Sequence, residues 1–335
     1  MTEHWVMPAE WQPHERTWMA WMEEDYSKDS TPESAARMHQ AWAQVANTIV
    51  NFEPVTMLVS AEHEAEARSF LDSRVETLIA TIDDGWMRDS GPTFVKSGDK
   101  LAAVDWIFNG WGNQGNWASW DNDDAVASLI AAEVGVPNLR SNLVNEGGGI
   151  HVNGAGAVLL TETVQLGQAR NPGWSRAEVE AEIHAKLGTD RAIWIRRGLT
   201  RDYEDFGTQG HVDIVACFAD ERTILFHDQQ NPDHPDFSVS HEVRRTLEEA
   251  GGFKLVAVPA PTVLRDAHGV VDYSYINHYI CNGAVILCAF DDPNDAVAKE
   301  ILEGVYLGRE VILVDARELF ARGGGIHCIT QQQPK

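Results

Sequence analysis

Short strand patterns alternate with amphipathic helix patterns along this chain, in modules of similar length. Helical patterns begin near residues 123, 175, 239 and 294, so their starts lie roughly 50 to 65 residues apart. Between them stand β-branched and aliphatic runs bounded by Gly, Asn and Asp, such as AVLLT, RTILF and AVILCAF. The alternation predicts an α/β fold built from repeated modules.

Two helices carry explicit start signals. Thr31 is a typical N-cap and Pro32 suits the first helical position. Apolar side chains then recur at helical spacing, at Met38, Trp42, Val45, Ala46 and Ile49. Ser175 and Glu178 form the pattern of a capping box, which predicts a second helix from 175 to 187.

One motif occurs twice. EGGGIHVNG at 146–154 and RGGGIHCIT at 322–330 share the letters GGGIH, 176 residues apart. Two copies of one element at this distance favour a repeat architecture with about three modules between them, although chance similarity of glycine-rich turns is an alternative. No Pro/Ser linker divides the chain. We therefore expect a single domain over residues 1–335.

The charge balance restricts the partners. The chain has 335 residues, with 26 Lys and Arg against 51 Asp and Glu, a formal charge of −25. Nucleic acids and anionic membranes attract the opposite charge, so we expect neither as a partner. The first residues lack the basic start and apolar stretch of a secretory signal, and four cysteines show neither CxxC nor zinc spacing. These features predict a cytoplasmic protein with free thiols.

Cys328 is the cysteine with catalytic potential. It follows three glycines and His327, and glycines let a loop approach a ligand closely. A small buried thiol beside a turn is the alternative interpretation. The other cysteines, Cys217, Cys281 and Cys288, stand inside apolar strand patterns and are predicted to be core thiols.

Several polar residues could act with this thiol. His211 and Asp213 belong to GHVD, and on an extended segment residues two apart point to the same face. Asp89 lies in WMRDSGPTF, and the alternative to a catalytic role is a surface pair with Arg88. Glu146 stands directly before three glycines, and the alternative there is a solvated loop residue.

Two further segments are less defined. A run with Trp106, Trp111, Trp117 and Trp120 could line a pocket or pack under a loop. The segment 227–236 contains His227 and His234, but its spacing fits no defined metal site, and its Pro and Asn predict an irregular surface loop.

A cysteine surrounded by carboxylates suits one kind of substrate. A thiol with a pKa of about 8.5 needs a base or a cation to ionise near neutral pH, whereas carboxylates oppose ionisation. A guanidinium is a planar cation that pairs with carboxylates through its N–H donors, so its charge would help to stabilise the thiolate. This combination indicates attack on a guanidinium carbon.

The motifs resemble those of the agmatine deiminase and bacterial-type peptidyl-arginine deiminase family. The matching stretches cover nearly the whole chain in family order: MPAEWQPHERTWMAW, WMRDSGPTF, AVDWIFNGWGN, EGGGIHVNGAGAVLLTE, RNPGWSR, GHVDIVACF, SYINHYICNGAVILCAF and GGGIHCITQQQP. The resemblance implies a five-bladed α/β propeller, the pentein fold, made of pseudo-repeated ββαβ modules with a central catalytic pocket.

The resemblance also implies roles. Cys328 matches the nucleophile and His211 the general acid and base, while Asp89 and Asp213 match the carboxylates that hold the guanidinium. Glu146 is expected in the same shell, and Trp86 as a stacking wall over the planar group. A small cationic guanidino substrate is implied, with no metal and no organic cofactor, and a homo-oligomer remains open.

Two segments depart from the family pattern, at 22–30 and 198–209, and Gly207 stands where an acid is common. Both are expected near the distal end of the substrate. The guanidine chemistry is therefore better supported than the choice of agmatine. The resemblance implies hydrolysis of agmatine to N-carbamoylputrescine and ammonia, and the alternative is another guanidine: an arginine derivative, peptidyl arginine or a different ω-aminoalkylguanidine. Arg201 could receive an α-carboxylate in that case. A non-catalytic binding module of the same fold and a metal-dependent hydrolase are the alternatives from other classes.

Overall fold

The structure, a computed structural model, describes residues 3–27, 30–113 and 119–335. Its helices are α1 (Pro32–Ile49), α2 (Glu64–Phe70), α3 (Met87–Ser90), the distorted turn α4 (Gly110–Asn113), α5 (Val126–Val134), α6 (Glu162–Gln165), α7 (Arg176–Leu187), α8 (Asp236–Ala250), α9 (Asn294–Val305) and α10 (Arg317–Phe320). Single 3₁₀ turns occur at Asp123–Ala125, Gly147–Gly149, Arg201–Tyr203 and Val212–Ile214.

The strands are β1 (His14–Ala20), β2 (Val55–Val59), β3 (Glu76–Ile79), β4 (Thr93–Ser97), β5 (Lys100–Ile107), β6 (Asn138–Val144), β7 (Ile150–Val152), β8 (Ala157–Thr161), β9 (Arg191–Ile195), β10 (Ala216–Asp220), β11 (Thr223–Asp228), β12 (Lys254–Pro259), β13 (Tyr279–Cys281), β14 (Ala284–Ala289), β15 (Glu310–Asp315) and β16 (Gln331–Pro334). Within the described residues they form five separate sheets, ordered β16-β1-β2-β3, β4-β5-β6, β7-β8-β9, β10-β11-β12 and β13-β14-β15.

Each sheet repeats one connection pattern. Its first two strands pair antiparallel and its second and third pair parallel, as in β7, β8 and β9. A helix connects the two parallel strands, because a parallel connection must return over the sheet. The repeated modules predicted from the alternation are therefore present, in the ββαβ order that the family resemblance implied, and the fold is α/β.

The two ends of the chain meet in one sheet. The C-terminal strand β16 pairs antiparallel with the N-terminal β1, with Trp18 opposite Gln331, and β1 pairs parallel with β2. The first module thus takes its outer strand from the last residues of the chain. This pairing places the Cys328 loop directly before a strand of the first sheet.

Local sequence signals account for the helix starts. The Thr31 hydroxyl accepts a hydrogen bond from the Ser34 backbone N–H at 3.1 Å, and the Ser175 and Glu178 capping box forms as predicted. The predicted apolar stripe of α1 is fully buried. The helix expected from residue 123 begins as a 3₁₀ turn before α5, and the one expected from 239 begins earlier, at Asp236.

The apolar core divides among the sheets. Buried hydrophobic side chains form four clusters, and the largest contains both Trp86 and Cys328. Cys217, Cys281 and Cys288 are buried free thiols, as predicted. Across the described residues, no helix combines the length and the apolar character needed to cross a lipid bilayer.

Candidate active site

The Cys328 loop lies against the turn that carries Trp86 and Asp89. The Arg88 backbone N–H donates to the Cys328 carbonyl at 3.0 Å, which joins α3 to the loop. Gly324 permits this approach, because a Cβ there would stand 2.6 Å from the Trp86 ring and 3.0 Å from the Cys328 Sγ. Cys328 is only 4% exposed.

Two polar groups contact the Cys328 sulfur. The Asn277 amide donates to the Sγ at 3.3 Å, and the thiol lies 3.6 Å from Oδ2 of Asp213. Burial raises the pKa of the Cys328 thiol well above its usual range, and the charges of Asp213 and Asp89 raise it further. The thiol is therefore neutral near pH 7 in this state.

His211 stands between two carboxylates. Its Nε2 lies 3.1 Å from Oε2 of Glu146, and its Nδ1 lies 3.8 Å from Oδ1 of Asp89. Gly148 allows the ring this position, because a Cβ there would be 2.5 Å from Nδ1. Burial alone lowers the pKa of His211, but the carboxylates of Asp89, Glu146 and Asp213 outweigh it and raise the pKa to about 9. The imidazole is therefore a cation near pH 7.

Glu146 is not a solvated loop residue. Its side chain is fully buried, and the Arg170 guanidinium donates to both of its oxygens, at 2.8 and 3.1 Å. Burial raises the pKa of Glu146, but Arg170 and His211 outweigh it and lower the pKa to about 2. Arg170 also donates to the Thr208 carbonyl at 2.7 Å, which fixes the guanidinium in place.

Asp89 is buried rather than part of a surface pair with Arg88. Its Oδ2 accepts from the Trp111 indole at 2.8 Å, and its Oδ1 accepts from the Gly148 backbone N–H at 3.0 Å. Burial raises the pKa of Asp89, and nearby His211 partly offsets this. The pair interpretation is wrong because the Arg88 side chain turns away, to Gln332 at 2.9 Å.

Asp213 is held by His327. The His327 Nδ1 lies 2.8 Å from Oδ2 of Asp213, and its Nε2 lies 2.9 Å from Oε1 of Glu10. Burial raises the pKa of Asp213, but His327 outweighs it and the pKa is lowered. Within the described residues, Oδ1 of Asp213 has no hydrogen-bond partner, so an acceptor remains beside the thiol.

One cluster has the spacing of metal ligands. Ligand atoms of Glu10, His151 and His327 lie within 4.8 Å of one another. Arg88 donates to Glu10 at 3.3 Å, and His327 already binds Asp213. A guanidinium at this point disfavours a bound cation, so the arrangement is that of a buried ion-pair network.

The segment carrying His211 and Asp213 is not extended. Val212–Ile214 forms a 3₁₀ turn, so the prediction that both side chains share a strand face is wrong. The turn sends His211 toward Glu146 and Asp213 toward His327. The two side chains still lie close together, because the charge of Asp213 helps to raise the pKa of His211.

Some of the tryptophans singled out in the sequence lie at the site, and others pack elsewhere. Trp86 lies against Gly324 next to the thiol, and its indole donates to the Tyr26 hydroxyl at 2.6 Å. Trp111 reaches the site through Asp89, whereas Trp106 packs in a core cluster. Trp120 packs on Gly110, and Trp117 lies outside the described residues.

The segment 227–236 differs from the predicted surface loop. His227 lies near the end of β11 and His234 follows on the adjoining loop, yet both are buried. Burial lowers the pKa of His227 to about 3, so the ring is neutral. The irregular loop is present, but it begins after His227, and both histidines are buried.

A cavity of about 190 Å³ lies next to the thiol loop. Gly323, one residue before Gly324, lines it, as does Gly207. A Cβ at Gly207 would stand 2.2 Å from the Asp202 carbonyl oxygen, so an acidic side chain does not fit this backbone. Arg201 also lines the cavity, but its guanidinium donates to Asp266 at 2.5 Å. The altered segment 198–209 therefore does lie beside the site.

Sequence reasoning missed several residues of this site. Arg170, Asn277, His327 and Arg88 touch the predicted site residues directly. Arg170 and Asn277 lie within stretches that carried the family resemblance, which was the one available signal. Their burial depends on contacts between distant parts of the chain.

Comparisons with known proteins identify the family of the chain. The sequence model of the Porphyromonas-type peptidyl-arginine deiminases matches residues 6–334, and the chain belongs to this family. A Streptomyces coelicolor protein provisionally named an agmatine deiminase is 56% identical, with 98% of each chain covered. An agmatine deiminase of Ectopseudomonas mendocina is 38% identical, with 98% of this chain and 95% of the relative covered.

A solved structure extends the comparison to the fold. The agmatine deiminase of Enterococcus faecalis superposes with a TM-score of 0.91 at 29% identity, covering 99% of this chain and 96% of that one. The backbone path around the Cys328 loop therefore belongs to a fold that this relative also adopts.

Proposed function

We propose that the protein is a guanidine deiminase that hydrolyses agmatine to N-carbamoylputrescine and ammonia. The observation that carries the proposal is the Cys328 sulfur beside Asp213, in a site where Asp89, Glu146 and a cationic His211 also meet. Carboxylates beside a nucleophilic thiol favour a cationic substrate. The names of the relatives add agmatine as the specific guanidine.

In the first step, Cys328 is the nucleophile. The guanidinium lies between Asp89 and Asp213, and its charge offsets theirs, so that the thiol releases its proton to solvent and becomes a thiolate. The sulfur bonds to the guanidino carbon, and the C–N bond to one terminal nitrogen breaks with its electron pair. His211 gives that nitrogen a proton, and ammonia leaves behind a cationic thiouronium on Cys328.

In the second step, water replaces the sulfur. The neutral His211 takes a proton from the attacking water, and the C–S bond breaks with its pair returning to sulfur. The second proton of the water goes to solvent, and a neutral carbamoyl product remains. Glu146 keeps His211 basic enough for both transfers, and Trp86 provides a flat wall beside the planar group.

The remaining parts of the proposal concern architecture and context. We infer that the five sheets are the blades of an α/β propeller, closed by the pairing of β16 with β1, in one domain over residues 1–335. No metal or organic cofactor enters the mechanism. A cytoplasmic location and the lack of a nucleic-acid or membrane partner stay predictions, and the oligomeric state stays open.

A panel of guanidines tests the function. Purified protein is assayed for ammonia release from agmatine, arginine and a peptide ending in arginine, with and without EDTA. We expect agmatine to be turned over best, with equal rates after EDTA treatment. Turnover of arginine or the peptide with none of agmatine would contradict the substrate assignment, and loss of activity in EDTA would contradict the cofactor-free mechanism.

A further inference from the structure

The cavity beside the thiol loop is joined to the catalytic site by aromatic side chains. Phe206 lines the cavity, and its ring lies 5.4 Å from that of Tyr26. The Tyr26 hydroxyl in turn accepts from the Trp86 indole, which lies against Gly324. An alkyl chain extending from a guanidinium at Cys328 would meet this apolar surface before it reached the cavity.

The three arginines that line the cavity are already paired. Arg37 donates to Glu318 at 2.8 Å, and Arg322 donates to Glu318 and Asp25 at 2.8 and 3.1 Å. Arg201 donates to Asp266, as described above. A substrate carboxylate would therefore compete with carboxylates of the protein for each of these arginines.

Unlike the arginines, one buried carboxylate that lines the cavity is not fully paired. Asp272 lines the cavity and is only 7% exposed, and its Oδ1 has no hydrogen-bond partner among the described residues. Burial raises the pKa of Asp272 to about 7, with Arg201 lowering it and Asp202 raising it. A buried carboxylate without full pairing is costly, and a bound cation would remove that cost.

We propose that Asp272 receives the terminal ammonium of the substrate, and so selects an aminoalkylguanidine over a guanidine that ends in a carboxylate. The inference rests on the proposed deiminase activity and concerns the distal end alone. Asp272 thereby supplies a buried negative charge in a cavity where an acidic side chain does not fit at Gly207. The arginines keep their partners, and the chain of the substrate lies along Phe206 and Tyr26.

A pair of substrates isolates this contact. Agmatine and n-butylguanidine share the guanidinium and the four-carbon chain, but only agmatine carries the terminal ammonium. We expect Asp272→Asn to lower kcat/KM for agmatine about tenfold to a hundredfold, mainly through KM, and to change that for n-butylguanidine less than about threefold. Asp233→Asn, on an exposed loop outside the cavity, is the matched control and should change neither.

The outcomes separate the two proposals. Equal losses on both substrates in Asp272→Asn would overturn the role of Asp272 while leaving the deiminase activity standing. Absence of ammonia release from every guanidine by the wild type would overturn the activity itself. If Asp272→Asn and Asp272→Ser both fail to fold, the wild type decides: a preference for agmatine over n-butylguanidine of tenfold or more supports the proposal, and a smaller preference contradicts it.

Discussion

The sulfur of Cys328 lies 3.6 Å from the carboxylate of Asp213, which His327 holds in place at 2.8 Å. A carboxylate at this distance opposes formation of the thiolate, and it raises the pKa of Cys328 together with burial. In the proposed mechanism the arrangement becomes productive when the guanidinium of the substrate lies between the two groups. The charge of the substrate would then activate the nucleophile.

Replacing Asp213 should separate its effect on the free thiol from its effect on the substrate. In Asp213→Asn the thiol of the free protein loses a repulsive charge, so iodoacetamide should alkylate Cys328 faster at pH 7 to 8 than in the wild type. The same variant should lose at least about thirtyfold in kcat/KM for agmatine, or about 2 kcal/mol, because a buried partner of the guanidinium is gone. Slower alkylation of Cys328 would contradict the assigned electrostatics.

The pKa of His211 gives a second prediction. In the folded protein it is raised from 6.5 to about 9, so the stability that this charge contributes is complete below about pH 6.5 and is lost as the pH rises through 9. NMR titration of the ring should show the raised value. In Glu146→Gln the titration should move to lower pH, because one stabilising charge is removed. A titration of His211 near 6.5 in the wild type would contradict the described ion pair.

Gly148 tests the tight packing around His211. A methyl group there would stand 2.5 Å from Nδ1, so Gly148→Ala should displace the ring and reduce kcat about a hundredfold or more. Gly304 in α9 is the matched control, since a methyl group at that position would meet no atom within 4 Å beyond the backbone of its own helix. Gly304→Ala should keep full activity and raise the free energy of unfolding by about 0.5 to 1 kcal/mol. Equal activities of the two variants would refute the close approach.

Arg170 should be a stability residue as well as a positioning residue. Its pair with Glu146 is buried, so Arg170→Ala leaves an uncompensated carboxylate and should lower the free energy of unfolding by about 3 to 5 kcal/mol. The exposed pair of Arg244 and Glu248 provides the comparison, and Arg244→Ala should cost less than about 1 kcal/mol. Urea denaturation measures both, and similar losses would show that burial of the Glu146 pair is unimportant.

The elements that local sequence specifies were predictable. The N-cap at Thr31 and the capping box at Ser175 depend on residues within one turn, and the strand AVLLT is bounded as predicted, at Ala157–Thr161. The alternation of these elements predicted repeated α/β modules, whereas their ββαβ order was implied only by the family resemblance. The 3₁₀ turn at Val212–Ile214 was not predictable, because an alternating apolar and polar pattern is also that of a strand.

Some residues of the candidate site were predictable from local sequence, and others were not. Cys328, His211, Asp89 and Asp213 were named from motifs, and the structure brings them together. Arg88 looked exposed because it could form a surface pair with Asp89, and Glu146 because it stands before flexible glycines, yet both are buried by contacts from remote segments. Arg170 lies 24 residues from Glu146 in sequence, and no local pattern predicts which carboxylate it binds. Long-range pairing of polar side chains is the part that sequence alone left undetermined.

The central claim is that Cys328 is the covalent nucleophile, and ammonia release by Cys328→Ala tests it most directly. Cys281→Ala, which removes another buried thiol, is the matched control and should retain most of the activity. We expect Cys328→Ala to fold normally and to keep less than about a thousandth of the wild-type kcat on agmatine. Activity above that level in a folded Cys328→Ala protein would contradict covalent catalysis by this thiol.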